Sequence, residues 1–181
     1  MIRNFAHKSP VIGPDVWIDA TAVVIGDVIL AEGVSVWPMT VLRGDVNQIQ
    51  IGKNTNLQDG VIVHVNQPSE QHPQGSRCVV GDDVTVGHRA TLHACTIGNQ
   101  VLVGMGAIVM DDVIVEDQVM IGAGSVVSPG KTLEQGFLYL GTPARKVRPL
   151  TQDELDYLNE SARLYRELAR LHATTSTPCG T

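Results

Sequence analysis

The sequence predicts an all-β body, a parallel β-helix of about six triangular coils, followed by a C-terminal α-helix. Three observations predict it. Large aliphatic residues recur every six positions, Gly, Asp and Asn cluster between them, and the composition changes near residue 148. The chain holds 25 Val and 12 Ile against 14 Leu, yet no Val or Ile follows Arg148, so a strand-forming body precedes a helix-forming tail.

The repeat starts with Ile12, Ile18, Val24, Leu30, Val36 and Leu42, and the residues four further on are Val16, Ala22, Val28, Val34, Thr40 and Val46. After a frame slip, Ile51, Leu57 and Val63 form a second block, and Val80, Val86 and Leu92 a third. The last block runs Ile97, Val103, Val109, Val115, Ile121 and Val127. All 18 leading positions are Val, Ile or Leu, and of their 18 companions only Gln67 and Lys131 are neither small nor aliphatic, which choice of frame does not produce. Such spacing describes a short strand and a tight corner, three units closing one coil. Coils stacked ~4.8 Å apart pair their backbones along the axis and bury the aliphatic ladder. Corners such as Ile97-Gly98-Asn99-Gln100-Val101 carry residues that tolerate unusual backbone angles. A β-sandwich would instead need period-two alternation broken by turns about every 8–12 residues.

Residues 1–148 are thus read as the solenoid and 149–173 as the helix. Thr151-Gln152-Asp153-Glu154 is a capping-box sequence just after Pro149. Leu155, Leu158, Ala162, Tyr165 and Ala169, with Leu164, Leu168 and Leu171 beside them, form a broad apolar stripe. This segment is expected to cap the solenoid, packing back along the coils or on a neighbouring subunit. Residues 174–181 are expected to be a flexible tail.

Composition narrows the function. With 13 Lys and Arg against 19 Asp and Glu, the net charge of −6 argues against nucleic acid or an anionic membrane as partner. No apolar run reaches the ~18 residues of a membrane span and Met1 to Pro10 lacks an apolar signal core, so a cytoplasmic location is expected. Cys78, Cys95 and Cys179 suit neither a disulfide framework nor a Cys-x-x-Cys site, and are read as reduced thiols.

The repeat gives each of the six histidines a phase. His7 and His172 near the ends and His72 in an insertion are read as surface residues. His64 follows Val63 and His93 follows Leu92, the same phase. The 17 residues from Val63 to Val80 equal one unit of six plus an 11-residue excursion. If the excursion is a loop, His64 and His93 stack on adjacent coils, within reach of one metal ion at ~2.0–2.1 Å bonds. His88, two residues after Val86, belongs to another face and points away. Three chains packed about an axis parallel to the coils would bring it to the His64 and His93 of a neighbour, giving three neutral imidazoles and an open position. That set suits catalytic zinc, with Fe(II) or Co(II) as alternatives.

Leu42-Arg43-Gly44-Asp45, Asn56-Leu57-Gln58-Asp59, His64, Thr85-Val86-Gly87-His88, Leu92-His93-Ala94-Cys95 and Gly141-Thr142-Pro143-Ala144-Arg145 resemble the γ-class carbonic anhydrases. The likeness is greatest to their compact bacterial branch, the carbonic-anhydrase-like or ferripyochelin-binding proteins. The resemblance covers nearly the whole chain and implies a left-handed β-helix, a homotrimer, and zinc held by His64 and His93 of one subunit and His88 of the next. It implies that Arg43 and Asp45 lie at the subunit interface near the metal, and that Gln58 holds the bound water or bicarbonate. Each also has a structural reading: ion pairing in assembly for Arg43 and Asp45, hydrogen bonding between coils for Gln58. Tyr139 is read as structural and Cys95 as a packed thiol. Two departures stand out. Val46 replaces a glutamate, and the excursion lacks the acidic shuttle loop, leaving Glu70 and His72 as candidate proton acceptors.

The expected reaction is reversible hydration of CO2 to bicarbonate, slowed by a weak proton relay. Two other classes stay open: acyl-CoA thioesterase or acyltransferase chemistry, and a non-catalytic trimer that binds a metal or metal chelate.

Overall fold

A computed structural model describes residues 1–70 and 72–176. The chain winds into a parallel solenoid of triangular cross-section, mostly from two- and three-residue strands. Strands Ile62–His64, Thr91–His93, Ile108–Val109 and Val126–Val127 stack on the first face. Cys78–Val80, Thr96–Ile97, Ile114–Val115 and Thr132–Leu133 stack on the second. Trp17–Ile18 through Phe137–Gly141 form the third. The long strands Val23–Leu30 and Val41–Ile51 each cross from the first face to the second.

Each face is seven rungs deep, one coil more than the sequence count. The extra coil comes from both ends. Ile2 pairs with Val24 although ten residues, not six, separate it from Ile12, while Leu133 and Tyr139 continue the six-residue step beyond Val127. From Val24 to Tyr139 every leading residue is at most 4% exposed, so the ladder is the core. Burial of each such side chain contributes about 1.5–3 kcal/mol. Leu42 and Val63 are followed by departures from the period, and there the inner positions pass to Ile49, Val65 and Cys78 rather than Val46 and Gln67.

Corners turn through left-handed backbone three residues before a core aliphatic: Asn54 before Leu57, Asp83 before Val86, Arg89 before Leu92, Asp112 before Val115. These are mostly the Gly, Asn and Asp positions that the repeat placed at corners.

The last rung is capped differently from expectation. Ala144–Pro149 turns back and pairs antiparallel with Phe137–Gly141, covering the terminal strand edge. The helix α1 (Gln152–Thr175) does pack back along the coils, lying on the third face against the strands containing Trp17, Ser35, Asn56 and Thr85. Thr151 and Glu154 form the reciprocal capping box, and Arg148 pairs with Glu154. Thr174 and Thr175 are helical rather than part of a tail; 177–181 lie outside the described residues. The buried stripe is narrower than the apolar one. Leu158, Ser161, Ala162 and Ala169 are buried, whereas Leu164, Leu168 and Leu171 are exposed, because small side chains let the helix sit close to the sheet. Ser161 shares a buried 2.9 Å hydrogen bond with Thr85. His172 is not an ordinary surface residue: it packs against Trp17 and Trp37, beside Tyr165. Among the described residues no helix is long and apolar enough to cross a membrane.

Candidate metal centre

His64 and His93 face each other across adjacent rungs, paired in register as the phase argument requires. His64 Nδ1 lies 3.1 Å from His93 Nε2. Each ring's other nitrogen is already committed. His64 Nε2 donates to Asp45 Oδ1 at 3.0 Å, and His93 Nδ1 donates to an Asp111 carboxylate oxygen. A neutral imidazole carries one N–H, so these bonds leave two bare lone pairs pointing at each other. Such a pair is repulsive unless a cation, a proton or a metal ion, lies between them. Two nitrogens held at ~2.0–2.1 Å in a tetrahedron stand about 3.3 Å apart, close to the separation found here.

The carboxylates are tuned for this. Burial alone would raise Asp45, but hydrogen bonds from Arg43 and His64 and the Arg43 charge outweigh it and hold its pKa below the usual carboxylate range. Burial acts the same way on Asp111 and is overridden by His93 and Asn66. Both carboxylates therefore stay ionised and fix the tautomer of the ring they touch. Asp45 is also gripped by Arg43 Nη1 at 2.5 Å. Gly44 places the pair: a Cβ there would come within 2.4 Å of the Asp27 carbonyl oxygen on the preceding coil.

His88 sits at a different edge. His64 and His93 end strands of the first face where it turns to the second, whereas His88 lies in the corner that brings the third face to the first. His88 Nδ1 bonds Asp59 Oδ2 at 2.9 Å, so it too has an orienting carboxylate. Asp59 stands two residues after Leu57 as His88 stands two after Val86, and those residues pair, so this partner was findable in the repeat. Asp111 was not: it reaches back from the following coil, one position beyond the histidine phase. Among the described residues, no three His, Cys, Asp or Glu side chains of one chain form a metal cage.

Gln58 is buried; its Oε1 accepts from the His88 backbone N–H and its Nε2 donates to Asn56 Oδ1, both at 3.2 Å. The amide thus bridges coils and lines a largely apolar groove of about 460 Å³ with His88, Leu102, Met105, Met120, Tyr157 and Tyr165. His72 lines a separate polar pocket with Asp111, Ser69 and Ser76, while Glu70 is exposed. Tyr139 is a core residue whose hydroxyl accepts from the Glu134 N–H. Cys78 and Cys95 are buried free thiols 3.9 Å apart.

Comparison with known proteins agrees with this architecture. The bacterial transferase hexapeptide (six repeats) model matches residues 9–44 and 94–129, a family whose fold is the left-handed β-helix. Protein YrdA of Escherichia coli is 53% identical over 165 residues, covering 91% of this chain and 90% of YrdA. The mitochondrial gamma carbonic anhydrase 2 of Arabidopsis thaliana is 41% identical over 179 residues, covering 97% of this chain, which spans 63% of the plant protein's length. A hexapeptide transferase family protein from Anaplasma phagocytophilum superposes with a TM-score of 0.87 at 40% identity, covering 94% of this chain and 96% of that one. The chain therefore belongs to the hexapeptide-repeat family, in the group that includes YrdA and the γ carbonic anhydrases.

Proposed function

We propose that the protein is a metal-dependent enzyme that hydrates CO2 reversibly to bicarbonate at sites shared between the subunits of a homotrimer. The observation that carries this reading is the facing pair of lone pairs on His64 and His93, each ring held from behind by a carboxylate. The third ligand is His88 of a neighbouring subunit. Because the two half-sites lie at opposite edges of one face, a ring of chains joining unlike edges completes a site at every interface. Met39, Ile62, Met105 and Ile108 are exposed on or beside that face, an apolar surface suited to burial between chains.

Zinc is the expected ion, with Fe(II) or Co(II) as alternatives; when bound it would lower the pKa of water from about 15.7 toward about 7. The chain's own residues do the rest. Asp45, Asp111 and Asp59 fix the imidazoles. Gln58, its Oε1 anchored on the His88 backbone, would orient the reacting oxygen, and the groove beside it would admit CO2 along apolar walls. Arg43 holds Asp45 in place. His72, in the polar pocket beside Asp111, is our candidate acceptor for the proton each turnover releases. The likeness to plant γ carbonic anhydrase supports this reading. A cytoplasmic site of action belongs to the same proposal.

The test is CO2 hydration by the zinc-loaded protein against His88→Ala. Loss of turnover in the variant supports the reading, and equal rates overturn it. Acyl transfer is the second reading, favoured by the transferase members of the family. Turnover of an acyl thioester by metal-free protein would select it, whereas bound metal without turnover in either assay would select the non-catalytic binder.

A further inference from the structure

We infer that a second ligand site, for a small carboxylate-type anion, lies between α1 and the first coils, on the C-terminal side of the groove at His88. A pocket of about 220 Å³ opens there, walled by Val16, Trp17, Ala169 and Ala173 and lined by two arginines, Arg166 and Arg170, against one carboxylate, Asp15. That is room for several waters or a small organic acid.

Its charge is unbalanced. Among the described residues Arg166 has no carboxylate within salt-bridge distance; its one acceptor is the neutral Asn54 Oδ1, 3.2 Å from Nη1. That amide is fixed from the other side, Asn54 Nδ2 donating to Asp83 Oδ1 at 3.0 Å. Gly33 makes room for it, since a Cβ there would lie 2.7 Å from Asn54 Oδ1. With Nη1 occupied, the Nε–Nη2 edge remains; among the described residues the Arg166 Nε is a buried donor with no partner, and a small turn of the side chain would bring it to a ligand in the pocket. That edge is the one a carboxylate engages with two parallel hydrogen bonds. An orphaned buried donor costs about 1–3 kcal/mol, more when charged, and an anion that relieves it gains that much. Among the described residues Arg170, one turn on, pairs only with the exposed Asp15, at 3.9 Å, which leaves it able to turn toward the same ligand.

The ligand class follows from the walls. A spherical anion such as chloride would neither span the guanidinium edge nor touch Val16, Ala169, Ala173 and the Trp17 ring, whereas a carboxylate with a short apolar body fills both halves. Bicarbonate shares the planar oxyanion fork, so the two sources must be separated by experiment.

The two tryptophans, Trp17 and Trp37, have ring centroids 4.8 Å apart, so intrinsic fluorescence reports on the pocket wall. Titrate butyrate, bicarbonate and chloride in turn, at constant ionic strength and pH, into wild type, Arg166→Gln, Arg170→Gln and Ala173→Leu. Saturable change with butyrate or bicarbonate but not chloride is expected, and the tighter of the two identifies the source. Arg170→Gln should weaken binding about tenfold. Ala173→Leu, which fills the pocket without removing either guanidinium, should abolish binding with an unchanged melting temperature, and so keeps the test valid if Arg166→Gln fails to fold. A linear response to all three anions, an equal response to chloride, or full binding by Ala173→Leu would overturn the inference.

Discussion

Asp111→Asn isolates the charge behind one candidate ligand. The amide oxygen can still accept from His93 Nδ1, so ring orientation survives while the negative charge that raises ring basicity is lost. Loss of such a partner weakens metal binding about 10–100-fold. Exposure decides where in that range the effect falls. In the single chain the Asp111 and His93 side chains are 37% and 34% exposed, and a neighbouring subunit that brings His88 would cover them further, so the expected loss is tenfold or more, at least about 1.4 kcal/mol. The Asp45–His64 pair, at 17% and 19%, is better shielded, and Asp45→Asn should lie nearer a hundredfold. The assay is zinc competition against a chromophoric chelator, with oligomeric state monitored in parallel. Asp112→Asn is the control: this neighbour accepts from Ser76 Oγ, makes no hydrogen bond to a histidine among the described residues, and has left-handed backbone that Asn tolerates. Unchanged affinity in Asp111→Asn, or an equal loss in Asp112→Asn, would refute the reasoning.

Three further outcomes follow from packing and charge. Leu92→Ala, at a fully buried rung between Val63 and Val109, should lower stability by about 2–5 kcal/mol in urea denaturation, whereas exposed Leu171→Ala should change it by no more than about 0.5 kcal/mol. Hydrogen bonds from Arg148 and the Thr151 N–H hold the Glu154 pKa down to about 2 from 4.5. Its contribution is therefore complete above the unfolded value and lost as pH falls through the folded one. The melting-temperature gap between wild type and Glu154→Gln should be constant at neutral pH, shrink below about 4.5 and close near 2. In a Cys179→Ser background, neither Cys78 nor Cys95 should react with a thiol reagent until the protein unfolds, because the Cys78 hydrogen bond and burial push the Cys95 thiol well above its ordinary pKa; rapid native labelling would contradict this.

The solenoid was legible because one contact, an aliphatic rung on the next, repeats at a fixed interval. It was lost where the interval changes, which is why Ile2 escaped the count and why Val46 and Gln67, companions by spacing, are exposed. The stacking of His64 on His93 was readable across the long excursion because the aliphatic frame resumes at Val80 in phase. The antiparallel strand Ala144–Pro149 was not, since it answers a strand edge rather than a periodic pattern. Asp111 was hidden for a related reason: its partner is set by how a corner bends back, and six-residue phase says nothing about that. Exposure of Leu164 and Leu168 shows the limit of helix periodicity, which marks apolar positions without saying which of them meet the sheet.

Whether one chain's His88 completes the His64 and His93 pair of another is tested most directly by mixing variants. His64→Ala and His88→Ala homomers should each bind almost no zinc. Subunits mixed equally and at random place an intact pair beside an intact His88 at about one interface in four, so zinc content and CO2 hydration should return to about a quarter of wild type. No recovery on mixing, or full zinc in either homomer, would contradict a site shared between subunits.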